Sequence, residues 1–134
     1  MKRVTGLGGM FFRSGDPQST LAWYREHLGI ESDAWGGYAF RWLEEKDPKE
    51  TGYTVWSAFP DDTKYFEPSQ QSFMMNFRVH DLEGLIAALR SEGVEVVGEI
   101  EQHENGKFGW ILDPEGRKIE LWEPVPSKDD PYLG

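Results

Sequence analysis

From Phe73 to His80 the side chains alternate, with Phe73, Met75, Phe77 and Val79 on one side and Met74, Asn76, Arg78 and His80 on the other. A period of two marks a strand with one buried face. At Asp81 the period changes. Leu82, Leu85, Ile86 and Leu89 recur at helical spacing, which predicts a helix capped by Asp81 and stopped by Gly93. Three further strands follow: Val94 to Ile100, Phe108 to Leu112 and Arg117 to Trp122. Asn105-Gly106 suits a hairpin between the first two, and Asp113-Pro114-Glu115-Gly116 a turn between the last two. This half reads βαβββ.

The same order recurs earlier in the chain. Phe12-Arg13-Ser14-Gly15-Asp16 precedes Phe77-Arg78-Val79-His80-Asp81 by 65 residues, and Gly29 precedes Gly93 by 64. Asp16-Pro17 opens a helix with Leu21, Tyr24 and Leu28 on its buried stripe, and strands follow around Tyr38–Leu43 and Tyr53–Phe59. Asp47-Pro48, Gly52 and Pro60 echo Asp113-Pro114, Gly116 and Pro124, with the same Gly-to-Pro spacing. A period that fills nearly the whole chain twice predicts a duplication. The expected fold class is α+β, a single domain of two tandem βαβββ modules over residues 4–60 and 73–124. Residues 61–72 are expected to be a linker and residues 125–134 a polar, mobile tail.

Composition narrows the function classes. The chain has 134 residues and a formal charge of −10, which excludes an electrostatic fit to nucleic acid or an anionic membrane surface. It has no cysteine, so thiolate nucleophiles and Cys-based metal sites are excluded. Its 38% apolar content is too high for a disordered acidic chain. No apolar run reaches membrane-spanning length, and Gly6, Gly8, Gly9, Arg13 and Asp16 break any signal-peptide core. A cytoplasmic location is therefore expected. Gly6, Gly8 and Gly9 do not make a dinucleotide fingerprint, because Phe11 holds its last position and no helix starts there.

Two stretches carry a family likeness: Asp16…Trp23-Tyr24…His27-Leu28-Gly29, and Trp110-Ile111-Leu112-Asp113-Pro114-Glu115-Gly116…Ile119-Glu120-Leu121-Trp122-Glu123-Pro124. With the duplication, they make the chain resemble the vicinal oxygen chelate superfamily of glyoxalases, extradiol dioxygenases and bleomycin-resistance proteins over about residues 4–124. The resemblance implies modules curled around a shared cavity, commonly in a homodimer. It does not fix a reaction. It also implies metal ligands on the first and fourth strands of each module. Those positions fall on Gly9, Met74, Trp56 and Glu120, of which only Glu120 is a hard donor. Residues 4–13 contain no His, Asp, Glu or Gln, and residues 72–79 offer only Asn76. A divalent ion needs several convergent donors, so no cofactor is expected and Zn²⁺, Ni²⁺, Mn²⁺ or Fe²⁺ is disfavoured.

Alternation assigns Phe11, Trp56, Met74 and Trp122 to an apolar cavity wall, interrupted by Asn76, Arg78 and Glu120. Such a wall suits a small organic molecule. Glu120 is the one candidate catalytic residue, and two readings stay open. One is a metal-independent binder resembling the drug-sequestering branch of the family, with the acidic chain attracting a cation. The other is a lyase, isomerase or dioxygenase acting on a small carbonyl or aromatic compound. There Glu120 would be base or ligand, with Arg78 and Asn76 steadying an oxyanion. His27, His80 and His103 share no chelating spacing and are expected at the surface.

Overall fold

The computed structural model describes residues 3–44, 47 and 49–133. Its strands are β1 (Val4–Ser14), β2 (Gly37–Leu43), β3 (Thr51–Pro60), β4 (Phe73–Val79), β5 (Val96–His103), β6 (Gly106–Leu112) and β7 (Lys118–Pro124). Helix α1 (Pro17–Leu28) follows β1 and α2 (Leu82–Ser91) follows β4. The strands form one mixed sheet in the order β2-β3-β1-β4-β7-β6-β5. Each module places its first strand parallel to its last, β1 on β3 and β4 on β7. The modules meet at the centre, where β1 runs antiparallel to β4.

Both helices start where the aspartates predict. Asp16 accepts a hydrogen bond from the Ser19 backbone N–H at 3.2 Å, and Asp81 accepts one from Gly84 at 3.1 Å. Gly29 closes α1 at φ 71°, a left-handed conformation that costs glycine little. The α2 stripe packs on the sheet face carrying Phe77, Val79, Ile119 and Leu121, as the alternation requires. Leu82 is 0% exposed there, and burying such a side chain contributes about 2–3 kcal/mol.

Three expectations change. Among the described residues the first module is βαββ, one strand short of the second. Residues 30–36 do not alternate, and Gly36 donates back to the Asp33 carbonyl at 3.0 Å, making a turn where the extra strand would run. The connection over residues 61–72 is not a passive linker. Phe66 within it is 0% exposed and packs with Phe11, Met74 and Trp110 beneath the sheet. The tail, expected to be mobile, folds back onto the body through a short 3₁₀ turn, Ser127–Asp129. There Ser127 donates from its backbone N–H at 3.2 Å and from its hydroxyl to Glu50, and Asp130 is 4% exposed.

Candidate functional site

The face of the sheet opposite the helices curls around a cavity of about 170 Å³. Phe11 on β1, Val55 and Tyr53 on β3, Asn76 on β4, and Glu120 and Trp122 on β7 line it. Trp35 and Tyr132 stand at its mouth, their rings meeting edge-on at 6.4 Å. Gly8 permits the close packing of the opposite wall. A Cβ at that position would overlap Asn76 Oδ1 and press on the Trp122 ring.

Glu120 is the chemical centre of this wall. Parallel pairing of β4 with β7 sets Asn76 beside Glu120, and antiparallel pairing of β6 with β7 sets Trp110 on its other side. Asn76 Nδ2 donates to Glu120 Oε1 at 2.6 Å, and Trp110 Nε1 donates to Oε2 at 2.9 Å. The Tyr65 hydroxyl, delivered by the connection after β3, donates to Oε2 as well. Lys118, two residues along β7, rests its ammonium over the Tyr65 and Trp110 rings at 5.2 and 5.5 Å. Its Nζ donates to the Tyr65 carbonyl at 2.7 Å.

Burial, leaving Glu120 2% exposed, pushes its carboxyl above the usual range, while the three donors and Lys118 pull it down less strongly. Burial also raises the Tyr65 phenol, with the neighbouring Glu120 charge adding to the effect. Burial lowers the Lys118 ammonium, with Glu120 opposing. The unfolded chain carries an ordinary glutamate that titrates near about pH 4.3. The folded protein therefore holds the Glu120 proton more tightly than the unfolded chain does. Its contribution to stability is complete below that pH and is lost as pH rises through the raised folded value. As pH rises above the unfolded value, thermal melts of wild type and Glu120→Gln should diverge increasingly against the wild type. A difference that stays constant with pH would contradict this account of the site.

Phe11, Asn76, Glu120 and Trp122 stand on the cavity wall as expected from the sequence. Met74 is on the same side, but it is sealed in the packing cluster with Phe66 and Trp110. Arg78 points inward yet lies behind the wall, its guanidinium 4.7 Å from the Trp122 ring centroid and 5.6 Å from that of Tyr53. Its Nη2 donates to Glu44 at 3.1 Å, so it supports the aromatic wall and does not steady an oxyanion in the cavity.

Trp56 is on the opposite face, packed against Tyr24 at 4.8 Å and Phe12 at 5.3 Å. The inward residues of β3 are Tyr53 and Val55, one position out of phase with the expectation. A one-residue slip moves every side chain of a strand to the other face. The Gly-to-Pro match between modules does not carry that phase. Val55 stands opposite Gly9, and β1 itself shifts register between Leu7 and Gly9. His27, His80 and His103 are all exposed, as expected. The site residues not anticipated are Tyr65, Trp110, Tyr53, Trp35 and Tyr132. Of these, Trp110 left a trace in the sequence, since the β6–β7 turn sets it opposite Glu120.

A family model described as the Glyoxalase/Bleomycin resistance protein/Dioxygenase superfamily matches residues 6–121, and the chain belongs to that superfamily. Among solved structures it is similar to the methylmalonyl-CoA epimerase from Mycobacterium tuberculosis. The identity is 25%, the match covers 96% of this chain and 93% of that one, and the TM-score is 0.61. A methylmalonyl-CoA epimerase in complex with methylmalonyl-CoA and NH4⁺ shares the fold at 17% identity and TM-score 0.66, over 96% of this chain and 99% of that one. A 2,3-dioxygenase from Pseudomonas sp. KL28 shares it at 24% identity and TM-score 0.57, over 92% of this chain and 42% of that one. No curated protein sequence matches the chain. No helix among the described residues is long and apolar enough to cross a membrane.

The superfamily's metal chemistry can be tested against the donors present. The positions that the resemblance implies for its ligands carry Gly9, Trp56, Met74 and Glu120; Trp56 lies on the other face, and the four supply one carboxylate between them. One O–H and two N–H donors already take most of that carboxylate's acceptor sites, leaving too few for an ion that needs several ligands. Among the described residues no three His, Cys, Asp or Glu side chains cluster as a metal site requires. The residues do not fit a divalent ion.

Proposed function

We propose that this protein binds a small, ring-sized organic molecule carrying an N–H donor or a positive charge, without a metal. The observation that carries the reading is Glu120. Among the described residues it is the one carboxylate on a mostly aromatic and apolar wall that also carries Asn76 and Asn105. Its three donors occupy most of its acceptor capacity, and a carboxylate offers about four acceptor sites. One site remains for a ligand. The volume supports a single ring, since an apolar cavity of about 150 Å³ accepts benzene. The charge of −10 favours approach of a cation, an effect that salt would weaken.

The test compares benzylamine with benzyl alcohol by tryptophan fluorescence at neutral pH. Benzylamine should bind the wild type about tenfold more tightly, since a charge-assisted hydrogen bond is worth about 1.5–3 kcal/mol. In Glu120→Gln the preference should vanish. Equal affinities in the wild type, or binding of neither compound, would overturn the reading.

A second reading has one specific observation in its favour. Burial raises the basicity of Glu120, as a general base requires. Against it, Arg78 lies behind Trp122, and the Asn76 N–H₂ group already donates to Glu120. Incubation with methylmalonyl-CoA in D₂O decides. Deuterium entering the acyl α-carbon with the wild type but not with Glu120→Gln would replace binding with proton abstraction.

A further inference from the structure

We infer that the C-terminal segment, residues 124–133, sets the upper size limit of the ligand, with Asp130 as the specificity-determining residue. The inference rests on the cavity being the binding site proposed above. Carboxylates are rarely buried unless their oxygens are satisfied, and Asp130 is 4% exposed near the end of a tail. The Tyr53 hydroxyl donates to its Oδ2 at 2.7 Å, and the Tyr132 backbone N–H donates to its Oδ1 at 2.9 Å.

Both partners belong to the cavity. Tyr53 is 1% exposed on the wall, and its ring meets the Trp122 ring edge-on at 5.1 Å and carries the Arg78 guanidinium on its face. Tyr132 places its own ring at the mouth against Trp35. The anchor thus ties a fully buried wall residue to a half-exposed mouth residue. Tyr132 and Trp35 are 42% and 41% exposed, so no core packing holds them there. With Asp130 seated, the space is about 170 Å³, on the scale of a single ring. Without that anchor the Ser127–Glu50 contact still holds the start of the segment, but Tyr132 loses its tie to the wall and the cavity opens at this end.

The experiment uses full-length wild type, Asp130→Ala and Asp130→Asn, with toluene and naphthalene as neutral probes read by tryptophan fluorescence. Toluene should bind all three proteins alike. Naphthalene should bind Asp130→Ala about tenfold more tightly than the wild type, since its second ring then finds room to be buried. Asp130→Asn can keep an oxygen accepting from the Tyr132 N–H and turn its N–H₂ group to donate to the Tyr53 hydroxyl, and should behave as wild type. Thermal melts establish that each variant is folded. Equal naphthalene affinity in wild type and Asp130→Ala, or an equal gain in Asp130→Asn, would overturn the inference. Neither hydrocarbon addresses Glu120, so failure of the benzylamine preference leaves this comparison standing. Absence of hydrocarbon binding to every variant would overturn the inference and leave the benzylamine comparison to decide the proposed function.

Discussion

Glu120→Ala should lower stability by about 3 kcal/mol, whereas Glu120→Gln should leave it unchanged or slightly higher at neutral pH. The contrast follows from the donors around the carboxylate. Alanine strands the Tyr65 hydroxyl, Asn76 Nδ2 and Trp110 Nε1, three polar groups that meet at one buried acceptor. Glutamine loses the charge but can keep the hydrogen bonds. Asn76 Oδ1 has no partner among the described residues, so turning that amide lets it accept from the new glutamine N–H₂. The remaining glutamine oxygen still accepts from Tyr65 and Trp110. For a chain of this length the alanine effect corresponds to a fall of about 10 °C in Tm. Thermal melts would refute the account if both variants fell together.

Phe66→Ala should be at least as damaging, at about 3–5 kcal/mol. The residue lies outside every strand and helix, yet it is 0% exposed. Its ring packs at 5.3 Å from Phe59 and closes the cluster of Phe11, Met74 and Trp110. Truncation would leave a void beside the Glu120 site and free the segment that delivers Tyr65. Chemical denaturation should show the loss, and a cost below about 1 kcal/mol would mean the connection is a passive tether after all.

These residues also show where sequence reading succeeds and stops. β4 and β7 are covered by α2 on one face and line the cavity with polar groups on the other. Alternation therefore separates Phe77, Val79, Ile119 and Leu121 from Asn76 and Glu120 correctly. β3 offers no such contrast. Tyr53 and Val55 face the cavity while Trp56 faces α1, so large apolar side chains occupy both faces and nothing in the pattern marks which is which. The phase had to come from the other module, and there it slipped.

Alternation places Arg78 on the correct side but not at its depth, because the guanidinium stacks behind Trp122 and alternation reports direction alone. Tyr65 and Phe66 form a lone apolar pair among polar neighbours, with no period to interpret. The burial of Asp130 depends on Tyr53, 77 positions earlier, and no local pattern can announce such a pairing.

The glycine on β1 gives the site an uneven capacity for change. Any side chain at residue 8 would collide with Asn76 and with Trp122, disturbing the carboxylate and the aromatic wall together. Drift in ligand preference through the strands therefore meets a barrier at the first step. The opposite end of the cavity is built from a terminal segment with exposed neighbours, where one substitution alters the opening and leaves the sheet intact. A change in ligand range is therefore easier to make in residues 124–133 than at residue 8.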